Sequence, residues 1–138
     1  MKLFGIALVC VLSFSTKAIA ATEFGLACIQ TMFQSRNDYL DVRKGDSWPG
    51  QETIFYFYDD GLQTSLETNL WFVSEDVTNV EISRSIIKVI TDRDAYDYIS
   101  LIKFHRYSGE VSVYRYHISD ESRIEVFEFL CEKSEANF

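Results

Sequence analysis

Proline is nearly missing from this chain, with one residue in 138, and no Pro/Gly/Ser-rich stretch, internal repeat or low-complexity tract interrupts it. With 47% hydrophobic and 15% aromatic residues, that scarcity excludes collagen-like, linker-rich and disordered architectures and leaves a single globular domain. Basic residues are also scarce: 13 Lys and Arg stand against 21 Asp and Glu, a formal net charge of −8. A phosphate backbone needs clustered cations to displace its counterions, so nucleic acid is excluded as a partner. The same deficit disfavours anionic membrane surfaces and favours a basic protein, which the field would steer in at a higher rate. Beyond the N-terminal segment no run is long and uncharged enough for a membrane helix, which needs about 20 apolar residues. Glycosylation sequons are missing too, because Asn37, Asn69, Asn79 and Asn137 all fail at the third position, and this suits a bacterial periplasm slightly better than a eukaryotic secretory route.

The first twenty residues read as a secretory signal peptide. Lys2 supplies the positive end, Leu3 to Phe14 the apolar run, and Ala18-Ile19-Ala20 the small-x-small cleavage site. Residues 21–138 are then one mature β domain, periplasmic or secreted. Cys10 follows Val9, where a lipoprotein signal wants a small residue, so no lipid anchor is expected. Cleavage removes Lys2 and Lys17 and no acid, leaving 11 bases against 21 acids, a net of −10.

Two cysteines remain, Cys28 and Cys131. In an oxidising compartment an even number invites one disulfide, and closing a loop of about a hundred residues stabilises a fold by about 4 to 5 kcal/mol in the chain-entropy model. A metal or redox pair needs closer spacing or more ligands.

Strand signals dominate the rest. Phe24 to Phe33 reads as a first strand carrying Cys28, with helix as the alternative because Ala27, Gln30 and Met32 favour it. Gln34 to Gln51 reads as a long loop. Thr53 to Tyr58 is β-branched and aromatic and ends in the turn Asp59-Asp60-Gly61. Asn69 to Val73 is predicted as a short strand, and Val80 to Thr91 as one long strand bulged near Ile86-Ile87. Three further strands, Tyr98 to Tyr107, Glu110 to Ile118 and Arg123 to Glu132, are joined by Ser108-Gly109 and by Ser119 to Ser122. A two-residue loop at Ser108-Gly109 pairs Leu101 with Tyr116, Lys103 with Tyr114, Phe104 with Val113 and His105 with Ser112.

The expected fold is all-β: a small antiparallel meander barrel or barrel-like sandwich of about six or seven strands. In such a barrel the first and last strands are neighbours, so a Cys28–Cys131 bridge can cross their seam. One apolar layer is expected from Ile102, Phe104, Val111, Val113, Ile124 and Val126. The opposite face carries Leu101, Tyr114, Tyr116, Phe127 and Phe129, a surplus to be covered by the long loop, buried in a dimer or used as a contact surface.

The segment from Ile102 to Gly109, with Arg106-Tyr107-Ser108-Gly109, then Val111 to Ile118 and Phe127 to Lys133, resembles a recurrent pattern of small, mostly uncharacterised secreted bacterial β-proteins. Those proteins carry a strand, Arg-x-Ser/Thr-Gly, and a final strand ending in Cys. The resemblance covers about the last forty residues plus Cys28; it implies a β fold and no activity. In size, signal and terminal disulfide the chain is also similar to periplasmic lysozyme inhibitors of the small β-barrel kind. Their Ser-Gly-x-Gly-x-x-Tyr loop is missing, since Ser108-Gly109 continues with Glu110-Val111-Ser112.

No catalytic set assembles. Bridged cysteines leave no nucleophile, and His105 and His117 fall on opposite faces of paired strands, with no Gly-x-Ser-x-Gly elbow to serve. Asp92-Arg93-Asp94-Ala95-Tyr96-Asp97 lacks the glycine and distal glutamate of a calcium loop. No cofactor, metal or catalytic residue is therefore assigned. The expected function is a non-enzymatic binding protein of the inhibitor or immunity type, engaging a basic protein through an acidic, aromatic surface. Trp48, Tyr107, Tyr114 and Tyr116 are the expected contacts. The alternative is a carrier holding a small apolar ligand in an aromatic-lined barrel; a small hydrolase using either histidine ranks third.

Overall fold

Alternating apolar and polar residues rich in β-branched and aromatic side chains suit pleated, half-buried strands. The computed structural model, which describes residues 21–35, 38–41 and 52–135, consists of such strands and their turns. They are β1 (Thr22–Ser35), β2 (Asp38–Asp41), β3 (Glu52–Asp59), β4 (Thr64–Thr68), β5 (Val77–Ile82), β6 (Ile86–Thr91), β7 (Tyr98–His105), β8 (Glu110–His117) and β9 (Ile124–Glu135). Among the described residues no helix is long and apolar enough to cross a membrane. Residues 1–20, expected to be a signal peptide, and Trp48 lie outside the described residues.

Every ladder is antiparallel, and the order β4-β3-β1-β9-β8-β7-β6-β5 follows the chain around a nearly closed barrel. Eight strands make this path, and β2 pairs with the far end of β1. The first and last long strands are paired, so the open seam falls in mid-chain, between β4 and β5. Cys28 and Cys131 are direct cross-strand partners on β1 and β9 and form the expected disulfide.

Four expectations about the strands change. The count of six or seven rises to eight because Val80 to Thr91 is a hairpin: Ser83-Arg84-Ser85 turns the chain between β5 and β6, with Ser83 N–H donating to the Ile86 carbonyl at 2.9 Å. Asn69 to Val73 is a turn rather than a strand, and β4 precedes it; Phe72 and Val73 are buried there against the barrel core. The stretch read as one loop contains β2. The β7–β8 connection is a four-residue loop, Arg106 to Gly109, closed by Gly109 N–H on the His105 carbonyl at 3.1 Å. Leu101 therefore pairs with Tyr114, Ile102 with Val113, Lys103 with Ser112 and Phe104 with Val111. This slip of two residues preserves which face each side chain takes.

The face of β9 is reversed from expectation. Val111 pairs with Phe129 and Val113 with Phe127, so both phenylalanines point into the barrel, while Ile124 and Val126 lie outside opposite Tyr116 and Tyr114. Two aromatic rings bury more apolar area than the two aliphatic side chains they displace. Inside, Phe24, Phe55, Phe57, Phe104 and Phe129 pack ring against ring with centroids 5.1 to 6.0 Å apart. Ile87, Val89, Ile102, Val111 and Val113 fill the remaining interior.

Candidate functional site

Three loops meet at one end of the barrel: residues 69–76, 92–97 and 118–123. Backbone bonds tie them together, from Asp92 N–H to the Asp76 carbonyl at 2.8 Å and from Ile118 N–H to the Asp97 carbonyl at 2.9 Å.

Beneath these loops lies Arg115. The odd residues of β8 face inward, Val111 and Val113 among them, and the same alternation carries the Arg115 guanidinium into the barrel end, where it is buried. A buried charge is costly unless paired and hydrogen-bonded. Nη2 donates to Asp94 Oδ2 at 2.6 Å and Nη1 to Glu125 Oε1, while Nε has no partner among the described residues. The guanidinium also stacks on Tyr98 at 4.2 Å and Phe72 at 4.6 Å, with Trp71 at 5.8 Å. Asp94 has a second task, since its Oδ1 accepts the Tyr96 and Tyr98 N–H groups and so shapes the loop that bears Tyr96.

Above this network Trp71 and Tyr96 meet edge to face, centroids 5.7 Å apart, yet remain 73% and 61% exposed. Ile118 is a third exposed apolar residue on these loops. Around them, apart from Asp94 held below by Arg115, stand six acids, Glu75, Asp76, Asp92, Asp97, Asp120 and Glu121, against two bases, Arg93 and Arg123. From Ile118 the same outer face runs down β8 through Tyr116 and Tyr114, whose rings stack 6.3 Å apart, with Lys103 over Tyr114 at 5.0 Å. Burial, and secondarily the neighbouring Tyr114, push the Tyr116 phenol above its ordinary value.

Of the expected contacts, Tyr114 and Tyr116 are therefore adjacent and half-buried. Tyr107 is exposed in the β7–β8 loop at the opposite end. The histidines do not converge: His105 lies on the outer face of β7, whereas His117 packs edge to face on Tyr98 at 5.0 Å. His117 Nδ1 accepts the Ser119 and Asp120 N–H groups, a turn-shaping task. Asp94 is engaged by Arg115 and Asp97 lies 3.8 Å from Arg93; among the described residues no three potential ligands cluster around a metal position. A hollow of about 500 Å³ opens at the seam between β5 and the turn after β3. Its one acidic lining residue is Asp59, and its other lining groups do not titrate.

Sequence reasoning missed Arg115, Trp71 and Tyr96. The available signal was an arginine in a run of inward positions otherwise held by valine. No protein-family model, curated protein or solved structure matches the chain.

Proposed function

We propose that this protein is a secreted or periplasmic, non-enzymatic binding protein of the inhibitor or immunity type, whose acidic, aromatic barrel end engages a more basic protein. The observation that carries this reading is the Trp71–Tyr96 pair, exposed to water yet fixed in place over the buried Arg115 network. Side chains already held in one geometry lose little entropy on binding, and aromatic anchors dominate interface energetics. Six acids against two bases on the surrounding loops, Asp94 being paired with the buried Arg115, supply the steering field. Ile118, Tyr116 and Tyr114 extend the contact down the outer wall. Tyr107, at the other end, is not part of this patch. The carrier reading is weakened by the interior phenylalanines, which fill the barrel against one another.

The test is native mass spectrometry on the protein purified gently from its own source, repeated with Trp71→Ala/Tyr96→Ala. A co-purifying basic protein, released by moderate salt and lost with the double variant, supports the reading. A retained small apolar molecule, or a partner indifferent to both aromatics, overturns it.

A further inference from the structure

The outer wall carries a separate feature, remote in kind from the aromatic barrel end. Between Gln30 and Met32 the register of β1 against β9 slips by one residue, leaving Thr31 as a bulge whose Oγ1 donates to the Glu128 carbonyl at 3.2 Å. Bulges bend a strand and break the regular pleat. Two hollows flank this one, of about 440 Å³ and about 110 Å³, and they share Thr31 and Leu130 in their walls.

The floor is apolar. Ile29 and Leu130 are cross-strand partners, 60% and 55% exposed, and Ile54 on the neighbouring strand is 51% exposed. The rim is of one sign. Glu52 pairs across from Ile29 and Glu132 from Ala27, on the larger hollow; Glu110 pairs across from Leu130 and Glu128 from Met32, on the smaller. Among the described residues neither hollow is lined by a lysine or arginine. Exposed aliphatic surface and uncompensated like charge both raise the free energy of the bare wall. A second copy of the chain would cover the aliphatic floor but bring the two glutamate rims together.

We infer that this groove is a second contact surface, which takes a cationic, amphipathic protein segment. An apolar side chain seats on Ile29 and Leu130, and Lys or Arg side chains reach Glu52 and Glu132 on one side and Glu110 and Glu128 on the other. The inference goes beyond the aromatic barrel end, and either surface can fail alone.

The probe is a short synthetic peptide of alternating Lys and Leu, titrated into the isotope-labelled protein and followed by amide shifts, with a Lys/Ser peptide of equal charge as control. The Lys/Leu peptide should shift Ile29, Thr31 and Leu130, and bind about tenfold more tightly than the control, an advantage lost in Leu130→Ser and in Ile29→Ser. Both positions are exposed, and thermal melting establishes that the variants fold. The Trp71→Ala/Tyr96→Ala variant should bind it unchanged, which separates this groove from the barrel end. Equal binding of both peptides, shifts centred on residues 71 and 96, no shifts, or peptide-free shifts at Ile29 and Leu130 that grow with protein concentration would each overturn the inference.

Discussion

Cys28 and Cys131 face each other across β1 and β9 with Cα atoms 4.0 Å apart, although they stand 103 positions apart in sequence. The bridge lies in the β1–β9 ladder, which joins the two ends of the described chain and so carries a large loop-closure cost. Cys28→Ser, read by denaturant unfolding, should lower stability by about 4 to 5 kcal/mol in the chain-entropy model. A loss under about 1 kcal/mol would mean that the β1–β9 ladder forms without help from the crosslink.

On the other side of Cys131, toward β8, lies Gly109. It adopts φ +72°, and a Cβ built there would lie 3.1 Å from the Cys131 carbonyl oxygen, while Cys131 N–H donates to the Gly109 carbonyl at 2.9 Å. Gly109→Ala should therefore cost about 1 to 2 kcal/mol for the left-handed backbone alone, and somewhat more for the crowding. The Ser108→Ala neighbour serves as control; equal, small effects on thermal stability at both positions would refute the crowding argument.

Arg115 is held by two carboxylates, and truncating it strands both. Arg115→Met should destabilise by about 3 to 5 kcal/mol, the usual cost of leaving partners of a buried pair uncompensated. Adding Asp94→Asn and Glu125→Gln to it should restore part of that loss, because neutral amides demand less solvation. The discriminating result comes from comparing the triple and single variants by chemical denaturation. If the triple variant is no more stable than Arg115→Met, the ring contacts to Tyr98 and Phe72, rather than the charges, are what Arg115 contributes.

Much of this was legible in the sequence, and the failures have physical reasons. Period-two patterning located β1, β3, β7, β8 and β9, and the cysteine pair identified which strands meet. The reversed face of β9 was also legible: Cys131 must point inward to reach Cys28, and Phe127 and Phe129 share its parity, whereas Ile124 and Val126 do not. Local composition could not reveal that Asn69 to Val73 turns back over the barrel end, because a buried apolar turn and a short strand have the same residues. Likewise Ser83-Arg84-Ser85 lacks the glycine or proline that usually announces a hairpin. Arg115 was hidden for another reason. Its partners Asp94 and Glu125 come from the loop before β7 and from β9, and only the true registers of the β7–β8 and β8–β9 hairpins bring them together.

Alkaline titration separates two causes acting on the tyrosines. The Tyr56 and Tyr58 phenols are raised chiefly because their hydroxyls donate to Glu23 and Asp60, whereas Tyr116 is raised chiefly by burial. For Tyr116 the folded state favours the neutral phenol, so its folded pKa lies above the unfolded value of about 10. Its contribution to stability is complete below that value and is lost as pH rises through the folded one, since the unfolded chain ionises first. Phenolate absorbance should then show late-titrating groups, of which Tyr116→Phe removes one and flattens the alkaline fall in stability. Glu23→Gln should shift the Tyr56 phenol most, and Tyr58 to a lesser degree, back toward their ordinary values, and leave Tyr116 in place. If Glu23→Gln moved the Tyr116 phenol, or Tyr116→Phe left the late titration intact, burial on the outer wall would not be the cause assigned to it.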